Sequence, residues 1–124
     1  MNADDVLRRY KDLPDFAGIG LTDVNQAGIF GDAPIHVAAN RGRTDEITAL
    51  LDGGSDANAS GELGNTPLHE AVMQNRIEAA KLLLARGADP QRKNHFGGTP
   101  LDAARARENR RLVRLLEGGA PARR

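Results

Sequence analysis

The chain has 124 residues, of which 40% are hydrophobic and 27% are charged, and this composition predicts a folded domain rather than a disordered segment. Cysteine is absent, so a disulfide framework and a thiolate zinc site are excluded. The formal net charge is zero and only 3% of the residues are aromatic, so the composition does not favour nucleic acid as a partner.

The first predicted element is a short N-terminal helix over residues 3–13. Its apolar residues recur at helical spacing: Val6, Leu7, Tyr10 and Leu13. Asp4 and Asp5 favour the helix start and Pro14 ends it, so we expect this helix to cap one end of the core. The segment lacks the apolar stretch of a secretory signal, and no apolar run in the chain is long enough to span a membrane. We therefore expect a cytoplasmic protein.

Three similar segments follow, and each of them contains a proline at the same place. Pro34, Pro67 and Pro100 recur at one constant spacing. Each proline opens a pair of predicted helices, at 34–40 and 44–52, at 67–74 and 77–85, and at 100–106 and 110–117. A glycine that suits a left-handed helix end follows each pair: Gly54, Gly87 and Gly119.

The residues around each helix start agree with this assignment. Thr66 is a favourable N-cap, and His69 lies where its ring can reach back to that cap. Asp102 takes the position of the histidine in the third segment, close to the positive end of the helix. Ala33 lacks a hydroxyl, so the first segment should start its helix less firmly. The turn inside each pair carries, in order, Gly42, Asn75 and Glu108.

The repeated motif is TPLHEA at 66–71, with APIHVA at 33–38 and TPLDAA at 99–104. This motif and its period of 33 resemble the ankyrin repeat, whose signature is T-P-L-H-x-A. The resemblance implies an all-α solenoid of stacked helix-turn-helix units with β-turn loops. It would contain three repeats and an N-terminal capping helix.

The same resemblance predicts how the chain is divided. We expect a single ankyrin-repeat domain over residues 1–124, with the N-terminal cap at 1–27, repeats at 28–60 and 61–93, and the third repeat with the C-terminal cap at 94–121. Residues 21–25 lie one full period before 54–58 and predict a degenerate repeat end. Residues 121–124 are expected to form a frayed tail.

The resemblance also implies where a partner would bind. In similar proteins, partners contact the loop tips and the first helix of each repeat. Carried over position by position, this predicts a partner-binding set of Ile29, Phe30, Asp32, Asn40, Arg41, Glu62, Leu63, Asn65, Met73, Gln74, His95, Phe96 and Arg107. The partner would be another protein, without nucleic acid, membrane, metal or cofactor, and the free chain is expected to be a monomer.

Three apolar residues stand out within this set. Phe30, Leu63 and Phe96 recur with the period of the prolines, each directly before a glycine. In a stack of repeats they would form an apolar row along the loop tips, which is typical of a binding surface. The alternative is that each side chain packs on its neighbouring loop, and the sequence leaves both interpretations open.

Other motifs have simpler explanations than a site of their own. His36 and His69 belong to the repeat motif, and no thiolate or carboxylate cluster completes a metal site. Residues 56–61 are similar to the start of a calcium loop, but Pro67 occupies the position of the required glutamate. No nucleophile elbow or dinucleotide motif occurs, so we do not expect an enzyme.

Charge is distributed unevenly along the chain. Residues 1–62 contain 5 Lys/Arg and 11 Asp/Glu, a net charge of −6, and residues 63–124 contain 12 and 6, a net charge of +6. Such a dipole could orient an approaching partner, or both ends could simply be solvated. The arginines at 105–114 could contact phosphates, although a charged end cap explains them more economically.

Two functions are consistent with these predictions. The first is a non-enzymatic binding module that acts by surface complementarity, such as an inhibitor or immunity protein that occludes a partner enzyme or toxin. The second is a structural or regulatory scaffold subunit that tethers a larger complex. The first predicts one tight partner, and the second predicts several partners on separate surfaces.

Overall fold

The structure is a computed structural model, and it describes residues 1–118. These residues form seven α-helices and no β-strand: α1 (Ala3–Tyr10), α2 (Pro34–Arg41), α3 (Thr44–Asp52), α4 (Pro67–Met73), α5 (Ile77–Ala85), α6 (Pro100–Ala106) and α7 (Arg110–Gly118). A 3-10 turn, Glu62–Gly64, precedes α4. The predicted all-α repeat solenoid is confirmed, while Gly119 and the expected frayed tail lie outside the described residues.

The three helix pairs stack in chain order and build two layers. Helices α2, α4 and α6 pack side by side in the first layer, and α3, α5 and α7 pack in the second. The side chains buried between the layers are mainly aliphatic and include Ile35, Ile47, Leu50, Leu68, Leu83, Leu112 and Leu116. Each pair buries its apolar face against its neighbours, so the core is continuous along the stack. None of the helices in residues 1–118 could cross a bilayer, because none is both long and apolar enough.

Helix α1 packs against α3 and covers the N-terminal end of the core. Val6, Leu7 and Tyr10 are buried, as their spacing predicts. The predicted helix end at Leu13 is wrong, because α1 stops at Tyr10 and the chain continues in tight turns. These turns bring Phe16 into the core, where its ring stacks on that of Tyr10 with centroids 6.4 Å apart.

A buried carboxylate links α1 to the first helix pair. Glu46 of α3 is almost inaccessible to solvent, and it accepts a hydrogen bond from the hydroxyl of Tyr10. Arg9 lies 3.1 Å and Arg43 lies 3.7 Å from the other oxygen of Glu46, so the buried charge is paired. Burial and the contact with Glu46 raise the pKa of Tyr10, which keeps its hydroxyl protonated as the donor.

The turns inside the three helix pairs share a left-handed residue. Gly42, Asn75 and Glu108 have φ values of 74°, 57° and 55°. Gly42 also provides space, because a Cβ atom there would lie 2.7 Å from Cδ of Arg76. Nε of Arg76 donates to the carbonyl of Asn40 at 3.0 Å, so the glycine lets an arginine of the second pair dock on the first.

Two histidines of the repeated motif connect neighbouring units. Nδ1 of His69 accepts the N–H of Thr66 at 3.0 Å, and Nε2 lies 2.9 Å from the carbonyl of Gly98 in the following loop. Since Nδ1 is an acceptor, Nε2 carries the proton and donates. His36 makes the corresponding pair of bonds, with Ala59 as the acceptor at 2.8 Å. Both rings are therefore used structurally, and residues 1–118 contain no cluster of three or more potential metal ligands.

Two asparagines connect the units at the opposite end of the helices. The amide of Asn25 donates to the carbonyl of Gly54 at 3.0 Å and accepts the N–H of Asp56 at 2.9 Å. Asn58, at the equivalent position of the next unit, makes the same two bonds one unit further along, at 3.0 and 2.8 Å. This equivalence supports the prediction that residues 21–25 are a degenerate repeat end.

Candidate functional site

Four apolar side chains are exposed at the tips of the loops that precede α2, α4 and α6. Phe30, Leu63 and Phe96, here called the tip row, are 52%, 52% and 77% exposed, and the adjacent Ile29 is 60% exposed. Elsewhere in residues 1–118, Met1 is the only large apolar residue classed as exposed. The three side chains are therefore not buried against their neighbouring loops, and they leave apolar surface uncovered.

Hydrogen bonds attach each loop to the one before it. The N–H of Glu62 donates to Oδ1 of Asp32 at 2.8 Å, which joins the second loop to the first. The N–H of His95 donates to the carbonyl of Leu63 at 3.0 Å, which joins the third loop to the second. The first loop is held in the same way by a carbonyl of the segment that follows α1. The tips are thus presented at fixed positions relative to each other.

The middle residue of the tip row has a strained backbone. Leu63 adopts φ 58° and ψ 19°, whereas Phe30 and Phe96 have no positive φ. For a residue with a Cβ atom, this left-handed conformation costs about 1–2 kcal/mol. Leu63 is also half exposed, so little packing offsets this cost. Strain of this kind that the surrounding structure maintains is a common property of functional positions.

A polar cleft of about 350 Å³ lies below the first two loops. Four carboxylates line it: Asp15, Asp32, Glu62 and Glu70. Among the lining residues, Arg41 is the one arginine or lysine, and its guanidinium carbon lies 5.4 Å from the ring centroid of Tyr10. We call this feature the acidic cleft, because its carboxylates outnumber its cationic groups.

Glu70 is the most buried carboxylate of the acidic cleft. Its side chain accepts a hydrogen bond of 3.0 Å from the amide of Asn40, and no other group in residues 1–118 donates to it. Burial raises the pKa of Glu70, and the negative charges of Asp32 and Glu62 raise it further. The carboxylates of the cleft therefore repel one another, which makes the site favourable for a cation.

The structure separates the predicted partner-binding residues into three classes. Nine of them are exposed: Ile29, Phe30, Arg41, Glu62, Leu63, Gln74, His95, Phe96 and Arg107. Three are partly buried: Asp32, Asn40 and Met73. Asn65 is only 6% exposed, and its Oδ1 accepts the side-chain amide of Asn94 at 3.0 Å. Asn65 thus positions the neighbouring loop and offers almost no surface to a partner.

The acidic cleft brings together only part of the predicted set and adds residues that sequence reasoning missed. Asp32, Asn40, Arg41 and Glu62 line it, whereas the predicted residues of the third loop do not. Asp15 and Glu70 are the acidic additions. Glu70 occupies the variable position of the repeated motif, which was a signal in the sequence, but nothing in the local sequence indicates that Asp15 lies nearby.

A family model described as ankyrin repeats (3 copies) matches residues 13–94, which is more than half of the chain. The chain belongs to the ankyrin-repeat family. Ankyrin repeats are generally protein–protein interaction modules, and the family is typically non-enzymatic. Helices α6 and α7 lie beyond the matched residues, yet they extend the ankyrin stack in the same two layers. A comparison of the chain with curated proteins found no match.

Proposed function

We propose that this ankyrin-repeat protein binds another protein through the tip row and the adjacent first helices, and that it acts by covering part of the partner's surface. Such an action would make it an inhibitor or immunity protein. The exposed, evenly repeated tip row is the observation that carries the proposal. Large apolar side chains that are exposed at equivalent positions of successive loops are typical of a surface that a partner covers.

The arrangement of the loops supports recognition by a preformed surface. Hydrogen bonds hold each loop to the preceding one, so the tips need little reorganisation when a partner binds. The strain at Leu63 supports the same proposal, because an exposed leucine in a left-handed conformation does not improve folding. We also propose that the exposed and partly buried residues of the predicted partner-binding set contact the partner. Asn65 would instead hold the neighbouring loop in place.

The test uses the double variant Phe30→Ala plus Phe96→Ala as bait beside the unchanged chain. The partner is recovered from the native host by cross-linking, purified, and titrated against both proteins. We expect binding to weaken by about 30-fold or more, since truncating central aromatic contacts commonly costs at least about 2 kcal/mol. The melting temperature should change by no more than about 2 °C, because both side chains are exposed.

A matched control removes two long exposed side chains that lie away from the tips. Lys81→Ala plus Arg111→Ala should leave the affinity unchanged. Unchanged affinity in the phenylalanine variant would refute the proposed surface, and a large fall in its melting temperature would show that the tips are part of the core. One partner at one-to-one stoichiometry would support occlusion, whereas several simultaneous partners would support a scaffold instead.

A further inference from the structure

The acidic cleft indicates what kind of partner the tip row receives. Asp32 and Glu62 belong to the same loops as Phe30 and Leu63, so carboxylates lie directly beside exposed apolar side chains. A partner that covers the tips therefore also brings its neighbouring side chains against the cleft. An apolar surface that continues into a negatively charged cleft is complementary to a segment that is both apolar and cationic.

The acidity of the cleft is specific to this part of the chain and does not follow from the repeat. In the third unit, the positions equivalent to Glu62 and Glu70 are His95 and Ala103, so that unit lacks both carboxylates. The motif that holds the stack together thus does not require acids here. Burial raises the pKa of Glu70, and the charges of Asp32 and Glu62 raise it further, so the carboxylates that meet in the cleft repel one another.

Glu70 adds an observation that is independent of the number of acids. The side chain is only 9% exposed, lines the cleft, and has a single hydrogen-bond donor within residues 1–118, the amide of Asn40. A carboxylate can accept several hydrogen bonds, so Glu70 retains acceptor capacity. His36, which also lines the cleft, is already engaged by the N–H of Ala33 at Nδ1 and the carbonyl of Ala59 at Nε2.

We propose that the partner's binding segment is cationic and amphipathic: a lysine or arginine side chain enters the acidic cleft while neighbouring apolar side chains cover the tip row. This inference rests on the proposed function, because it specifies the partner chemistry of the same surface. Arg41 does not neutralise the cleft by itself, since it is one guanidinium among four carboxylates and lies over the ring of Tyr10.

The experiment exposes the immobilised full chain to a library of random short peptides displayed on phage. We expect the enriched peptides to combine lysine or arginine with large apolar residues. The strongest peptide is then synthesised and titrated against single variants of the chain. Glu62→Gln should weaken its binding about threefold to fivefold, the range for a partly solvated ion pair. Glu70→Gln should have an effect of about tenfold, because this carboxylate is less screened by solvent.

Glu78→Gln is the matched control, because it removes the same charge from the exposed surface of α5, away from the cleft. A loss of affinity equal to that of Glu62→Gln would mean general charge attraction and would overturn the inference. Enriched peptides that depend on Phe30 and Phe96 but have no basic residues would also overturn it, while leaving the proposed function intact. Peptides that do not depend on these phenylalanines, or a failure to enrich any peptide, would count against both proposals.

Discussion

The second and third helix pairs have the same architecture, but they differ in their neighbours. Helix α4 packs between α2 and α6, whereas in residues 1–118 helix α6 has a first-layer neighbour on one side only. His69 at the start of α4 is buried and reaches the carbonyl of Gly98 in the next loop. Asp102, at the equivalent position of α6, is exposed and accepts only the local N–H of Thr99. The local helix cap is thus kept in both pairs, whereas within residues 1–118 only the second pair makes this link to a following loop.

The largest expected contrast concerns equivalent leucines in the second layer. Leu83 in α5 and Leu116 in α7 are both fully buried. We expect Leu83→Ala to cost about 4 kcal/mol of unfolding free energy, because the cavity is enclosed by units on both sides. Leu116→Ala should cost about 2 kcal/mol, since the end pair can relax or open locally without unfolding the rest.

Urea denaturation measures both free energies, and amide hydrogen exchange locates any local opening. Faster exchange confined to α6 and α7 in the Leu116 variant would show that the third pair opens locally while the second pair stays folded. Equal losses of stability, with exchange raised over the whole chain in both variants, would instead mean that the third pair is as firmly integrated as the second.

A smaller difference in unfolding free energy is expected between variants at the third residue of α4 and of α6. His69→Ala removes the link to the next loop and leaves the buried N–H of Thr66 without its acceptor, so we expect a loss of about 2 kcal/mol. Asp102→Ala removes an exposed capping contact and should cost about 0.5 kcal/mol. Thermal and urea denaturation of the two variants at neutral pH provide the measurement.

The pH dependence supplies the control for His69. Burial lowers the pKa of this histidine below 6.5, so the unfolded chain binds the proton first on acidification. The unfolding free energy should therefore decrease as the pH falls below about 6.5, because His69 takes up a proton more readily in the unfolded chain. This part of the pH dependence should be missing in His69→Ala. A pH profile that is identical with and without the imidazole would contradict the assignment of its proton.

The smallest expected difference in unfolding free energy is between variants of two equivalent loop residues. Leu63→Gly relieves the left-handed strain and should raise the unfolding free energy by about 0.5 kcal/mol after the entropic cost of glycine. Phe96→Gly, at the equivalent unstrained position, should lower it by about 0.5 kcal/mol. Calorimetry on both variants distinguishes the two signs. A loss of stability in Leu63→Gly would mean that the leucine contributes packing that outweighs its strain.

Most of the fold was predictable, because its determinants are local and repeated. The threonine or proline at each helix start, the periodic leucines and the glycine after each pair are visible in the sequence, and the ends of α2 to α7 agree with the predictions to within one residue. The positive φ of Asn75 was also predictable, since asparagine tolerates this conformation where Gly42 stands in the first unit.

Features that depend on distant residues were not predictable. The buried contact of Tyr10 with Glu46 joins residues 36 positions apart, and neither residue type indicates burial by itself. Beyond the early end of α1, the chain packs Phe16 against Tyr10 in the core, a contact that local propensity does not reveal. For the candidate site, the periodicity identified the tip row. The acidic cleft was missed, because Asp15 enters it from the segment that follows α1, where the repeated motif is not visible.

The hydrogen bonds between successive loops also affect how a complex forms. Fixing a mobile loop on binding costs roughly 1–2 kcal/mol of conformational entropy for each backbone residue that becomes ordered. Here the bonds from Glu62 to Asp32 and from His95 to Leu63 have already fixed the loops in the free chain. Association should therefore be a single-step process with little entropic cost from the loops. The same rigidity makes binding specific for the spacing of the tips. The loops cannot bend to fit a ligand whose apolar groups are spaced differently.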